Sequence, residues 1–148
     1  MSNIKWKNFP VPPIHVITLF VGIAIQAWFP LGIWRDGWLR QILGWGLLLG
    51  GVLLALWATT AFEEMDSEKP GKVITSGPYA YSRNPMYVAW TMMYLAIAIL
   101  VNTWWLIVLI PIPLLVTHFH DVRREERQLE GKFGEAYRQY RLRVRRYL

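Results

Sequence analysis

The stretch ILGWGLLLGGVLLALWATTAF, residues 42–62, runs for 21 residues without a charged side chain. A hydrocarbon core about 30 Å thick is crossed by roughly 20 helical residues, so this run has the length and polarity of a membrane span. Upstream, Val11–Phe29 is a second apolar run of 19 residues, interrupted by His15 and Gln26. Downstream, Met86–Val116 stays apolar for 31 residues, too long for one span and short for two. Asn102-Thr103 lies at its middle as a turn signal. This predicts a hairpin of two short or tilted helices, with Pro111 and Pro113 kinking the second.

The composition agrees with a membrane protein. Apolar residues make up 54% of the 148, with nine Trp and seven Tyr, where soluble domains hold roughly 45–50%. Trp28, Trp34, Trp38 and Trp45 lie at or beside the ends of the first two apolar runs, and Trp104 and Trp105 at the turn within the third, the places where amphipathic rings settle at a bilayer surface. Met1–Asn8 carries two Lys, and no small-residue cleavage pattern follows the first run, so it reads as a retained span rather than a signal peptide. With no Cys, disulfides, thiolate metal sites and Cys nucleophiles are excluded.

Between the first two runs, Pro30–Gln41 reads as a short link. Glu63–Tyr87 reads as an ordered polar loop, punctuated by Pro70, Gly71, Gly77, Pro78 and Pro85. The tail His118–Leu148 carries Leu129, Phe133, Tyr137, Tyr140 and Val144 at helical spacing, with Gly131 and Gly134 expected to divide it into two helices. Four crossings place the N-terminus, the 63–87 loop and the tail on one side, with 14 of the 16 basic residues; Arg35 and Arg40 stay opposite. The positive-inside rule makes the basic side cytoplasmic. The expected architecture is an all-α membrane protein of about four transmembrane helices, the last two a short hairpin, plus a cytoplasmic helical tail. The tail nets +4 from Asp121 onward. Its charges interleave and it abuts a span, which suits lipid head groups or a solvated face better than nucleic acid.

Residues 71–87 (GKVITSGPYAYSRNPMY) combine two Pro, two Gly, three Tyr and an Arg directly before a span. Irregular backbone at membrane depth is tolerated where it lines a cavity, and its free N–H and C=O groups can hold a ligand. Glu125-Glu126, at the end of the hairpin, could face a cation or could pair with Arg123, Arg124 and Arg127 on an ordinary charged helix. No glycine-rich nucleotide fingerprint or His-Glu-x-x-His metal pattern is present. His15 reads as a packed or interfacial residue, and His118 and His120 are too few for a metal site. The first two spans contain no Asp, Glu, Lys or Arg, against a small four-span transporter; a non-catalytic membrane scaffold is the other alternative.

Ser76, Gly77, Tyr79, Arg83, Pro85 and Tyr87, followed by Glu125, Glu126, Leu129, Phe133, Gly134, Tyr137, Tyr140 and Val144, resemble the paired signatures of the isoprenylcysteine carboxyl methyltransferase family and its phospholipid methyltransferase relatives. The resemblance runs from Glu64 to the C-terminus. It implies one methyltransferase domain over 1–148, with a site built from 63–90 and 117–148. S-adenosylmethionine would be the cofactor and an amphiphilic or lipid-like molecule the substrate. The implied cofactor residues are Glu64, Gly71, Lys72, Val73, Ile74, Tyr79, Asn84, Pro85, Met86, Tyr87 and Glu125. Arg83 would orient an acidic group. Glu126 would be a further site residue and, with His118, a candidate base for an amine substrate. There are three departures from the family pattern. Ala89 replaces a usual Gly, which bears on helix packing. Asn84 replaces the His of the family's Arg-His-Pro, and Asp121 an Arg that contacts substrate in the prenylcysteine enzymes. These last two favour an amine-bearing or neutral amphiphile over carboxyl O-methylation of a prenylcysteine.

Overall fold

A computed structural model describes residues 12–35, 37–68 and 72–147. Among them the chain is helical, with one isolated parallel bridge between Ser82 and Arg145. Helix α1 (Pro13–Trp28) starts on a proline, whose fixed φ suits the first helical turn. Helix α2 (Gly37–Glu68) is 32 residues long and overruns the apolar stretch at both ends. Five of the twelve residues of the expected 30–41 link and the first six residues of the expected loop are therefore helical. No Pro or Gly interrupts residues 52–69, so the helix continues past the apolar run.

A 3-10 turn, Gly77–Ala80, follows, and then α3 (Pro85–Val101). Asn102 caps α3 in the left-handed conformation (φ 58°), and α4 (Trp104–Leu109) starts at once, giving the expected hairpin. Pro111 opens α5 (Pro111–Val116). A π-helical turn, Thr117–Val122, leads into α6 (Arg123–Phe133) and then α7 (Glu135–Arg143). The break before α7 sits at Gly134 (φ 52°), whereas Gly131 remains helical. Gly131 was expected to interrupt the tail as well. A single Gly within a helix costs only about 1 kcal/mol against Ala, too little to break it.

Two helical stretches, Gly37–Glu63 and Trp104–Phe133, are long and apolar enough to cross a membrane; α1 and α3 are apolar and shorter. Outward-facing Trp45, Leu49, Leu53 and Val108 are more than half exposed, an apolar surface that suits lipid better than water. Small residues let the helices approach. A Cβ on Gly51 of α2 would lie 3.1 Å from the Ala89 carbonyl and 3.2 Å from the Met93 nitrogen of α3. Ala55, Ala58 and Ala89 are buried at the same seam. Gly22 of α1 likewise receives Leu106 and Leu109. Ala89, where the family usually has Gly, thus fits because Gly51 opposes it.

At one end of the bundle, Asn102 ties the hairpin to the α1–α2 link. Its Oδ1 accepts from the Ile33 and Trp34 amides (3.0 and 2.9 Å), and its Nδ2 donates to the Trp34 carbonyl (3.0 Å). Thr103 caps α4 and donates to Gln26 Oε1 at 2.8 Å. This rim leaves the opposite end, with the 72–84 loop, α6, α7 and the C-terminal segment, to form a cavity.

Candidate functional site

The loop begins its approach at Gly77, which has a positive φ and packs on α2. A Cβ there would meet Ala61 at 2.9 Å and the Trp57 indole at 3.3 Å. A side chain at this position would be strained and crowded together. The turn then places Tyr79 where its carbonyl accepts from the Tyr140 hydroxyl of α7 (2.7 Å). From Ser82 the chain runs beside the C-terminal segment. The Arg83 amide donates to the Arg145 carbonyl (2.9 Å), and Asn84 Nδ2 donates to the Arg146 carbonyl (2.9 Å). Asn84, the residue that replaces the family's His, is thereby an anchor for the tail.

These contacts enclose a cavity of about 420 Å³ between loop, α2, α3, α6 and α7. Among the residues the sequence nominated, Lys72, Val73, Ile74, Tyr79 and Arg83 line it from the loop. Asn84, Pro85, Met86 and Tyr87 line it from the start of α3, and Glu125 and Glu126 from α6. Gly71 and the side chain of Glu64 lie outside the described residues. The stripe Leu129, Phe133, Tyr137 and Tyr140 also lines the cavity, together with Thr59, Phe62, Gln128 and Lys132. The sequence registered the stripe as helical periodicity; that it faces a cavity depends on the bend at Gly134. Thr59 and Phe62, inside an apolar run, carried no signal at all.

The two adjacent carboxylates have different partners. Glu125 Oε1 accepts from the Tyr87 hydroxyl at 2.7 Å. Glu125 sits beyond the apolar part of its helix. Desolvation raises its pKa above the ordinary carboxylate range, the Tyr87 hydrogen bond opposes the rise, and Asp121 adds to it. Such a carboxylate gains from a cation. Glu126 is buried and receives three charge-assisted bonds. Arg83 Nη1 donates to Oε1 (2.8 Å), Arg146 Nε to Oε1 (3.0 Å) and Arg146 Nη2 to Oε2 (2.9 Å). Arg146 had no place among the sequence candidates, because its motif offered no more than a basic tail.

The rings around the cavity are held neutral: burial pushes the Tyr79 hydroxyl up to about 12, and that of Tyr140 above its usual range. Arg123 stacks on the Phe119 ring at 4.6 Å, and neither Arg123 nor Arg124 lines the cavity. His118 Nδ1 is 2.9 Å from the Tyr147 hydroxyl, and His120 pairs with Asp121 (2.9 Å). His15 is buried, edge-on to Tyr94 at 6.2 Å between centroids.

The family model for phospholipid methyltransferases matches residues 39–136, from the first turn of α2 into α7. That is about two thirds of the chain. The chain belongs to the phospholipid methyltransferase family. A protein of Haemophilus influenzae, described as an uncharacterized protein, is 40% identical over 65 residues, covering 38% of this chain and all of that protein. No solved structure matches. Membership makes the chain a membrane-associated methyltransferase by family. The matched span contains the loop and both carboxylates.

Proposed function

We propose that the chain transfers a methyl group from S-adenosylmethionine to an amine-bearing or neutral amphiphile at the cytoplasmic face of a membrane. The observation that carries the reading is the meeting of Glu125, Tyr87 and the 72–87 loop around one cavity, inside the segment matched by a methyltransferase family. Its 420 Å³ falls within the roughly 300–1,000 Å³ of small-molecule sites.

The residues present fit the cofactor. Glu125 offers a carboxylate for an ammonium or a ribose hydroxyl pair, and Val73, Ile74 and Leu129 offer apolar surface to an adenine. The Tyr79, Tyr137 and Tyr140 rings surround the space where a sulfonium would gain cation–π attraction. When bound, S-adenosylmethionine supplies an electrophilic methyl on a positively charged sulfur. The chain's part is alignment, since in-line transfer draws much of its rate from orientation. Lys72 and Arg83 orient acidic groups. Glu125, with one hydroxyl donor, is the carboxylate left free to receive a cation or a proton from an amine.

The amine preference rests on charge. Asp121 does not line the cavity, and neither do Arg123 and Arg124, but it acts electrostatically on Glu125 and Tyr87, which do. A substrate carboxylate there meets like charge, whereas an amine meets the opposite sign.

For topology, the proposal is four crossings with both termini cytoplasmic. Helices α1 and α3, with 16 and 17 residues, rise about 25 Å, a modest mismatch met by local thinning of the bilayer. Side-by-side assays of purified protein with labelled cofactor test the substrate. Turnover of phosphatidylethanolamine above that of a farnesylcysteine analogue is expected. Turnover of the farnesylcysteine analogue alone refutes the charge argument.

A further inference from the structure

The trio around Glu126 carries an imbalance that the proposed transfer does not by itself explain. The Arg83 and Glu126 side chains are each 10% exposed, and Arg146 is 33% exposed. One carboxylate faces two guanidinium groups, so one positive charge is left over in a place largely removed from water. A buried charge without a partner is costly. Arg83 Nε, moreover, is buried with no hydrogen-bond partner, although its side chain lines the cavity. Tyr137, which is within hydrogen-bonding reach of Arg83, is uncharged, and Lys72 and Lys132 add further positive charge to the same lining.

We propose that Arg83, Glu126 and Arg146 form an anion subsite in the cavity wall, taking a carboxylate or phosphate group. Arg83 contacts the anion, and Arg146 is a positioning residue. By sharing Glu126, Arg146 keeps that carboxylate from neutralising Arg83, so the trio retains one net positive charge. Glu126 acts there as a pivot holding two guanidinium groups in place, with both its oxygens engaged, which leaves little of it to serve as a base. Arg146 lies beyond residue 136, outside the segment matched to the family. The inference rests on the cavity being the ligand site proposed above. Two ligands could supply the anion: the amino-acid carboxylate of the cofactor or the phosphodiester of a lipid substrate.

The test uses the full-length protein and its Arg146→Gln and Arg146→Lys variants, each checked by thermal melt. In the cofactor arm, calorimetry compares S-adenosylhomocysteine with methylthioadenosine, which keeps the adenosine and sulfur and lacks the amino-acid end. In the lipid arm, binding of micellar phosphatidylethanolamine is compared with that of a long-chain alkylamine lacking phosphate. Losing a charge-assisted contact corresponds to a loss of roughly 10- to 100-fold. Arg146→Gln should show such a loss for the anion-bearing member of one arm and leave its counterpart without that anion within about 2-fold; Arg146→Lys, which keeps the charge and loses the two-point fork on Glu126, should restore part of the loss. Loss confined to S-adenosylhomocysteine assigns the carboxylate, and loss confined to the phospholipid assigns the phosphate. Equal loss for ligands with and without the anionic group, or no loss in a folded variant, overturns the subsite and leaves Arg146 a strut for the tail. If the unaltered protein binds neither adenosyl ligand, the methyltransferase reading fails instead, and the lipid arm still decides the subsite.

Discussion

Neighbouring glutamates with opposite fates show how far a single residue's role depends on its partners. Glu125 has one neutral donor, the Tyr87 hydroxyl, and Glu126 has two guanidinium groups. Glu125→Gln should therefore weaken binding of S-adenosylmethionine about 10- to 100-fold, the scale of a charge-assisted bond, with the melting temperature little changed; calorimetry checks it. The ionised form holds the cation, and desolvation raises the Glu125 pKa. Affinity should thus fall with decreasing pH, starting above the ordinary carboxylate range, and Glu125→Gln should flatten that dependence. A wild-type affinity constant from pH 8 down to about 4.5 would contradict it. At the far rim, Asn102 combines a left-handed backbone with three side-chain hydrogen bonds. Asn102→Ala forfeits both and should destabilise the protein by about 2 kcal/mol, read as a lower unfolding midpoint without loss of ligand affinity per folded molecule.

Helices α6 and α7 form the wall of the cavity because they are two elements set at an angle. Gly134 has φ 52° and ψ −123°, a region that costs a residue with a Cβ about 1–3 kcal/mol, and the space around it is open. Gly134→Ala thus carries a pure backbone penalty, relieved by letting α6 and α7 straighten and moving Tyr137 and Tyr140 away from the loop. Its expected outcome is weaker cofactor binding. Gly131 is helical and equally open, so Gly131→Ala should keep affinity and gain up to about 1 kcal/mol in stability. Similar effects of the two substitutions on binding would deny the bend its role. The π-helical turn Thr117–Val122 acts at the same scale. Its wider turn shifts the register of α6 relative to α5, and in the resulting setting Glu126 is buried and Glu125 lines the cavity. Such turns inside α-helices often occur at functional sites.

For the whole molecule, the distribution of basic residues and the cavity at one end point to a single sidedness. Reporter fusions after Leu148 and near Arg35 should show opposite accessibility; the same side for both would rule out four crossings. The sequence by itself determined the apolar helices, the hairpin turn at Asn102-Thr103 and the cavity-lining loop. Each of these is written in local features: run length, a turn-forming pair, a cluster of Pro and Gly. It also marked the stripe Leu129, Phe133, Tyr137 and Tyr140, since helical periodicity shows which residues share a face. The tertiary structure alone decided what that face meets, and which glutamate is free. Glu126 finds Arg83 across 43 positions and Arg146 across 20, and no spacing rule links residues so far apart. Ion pairs of that kind exist only once the loop, α6 and the C-terminal segment have closed on one another.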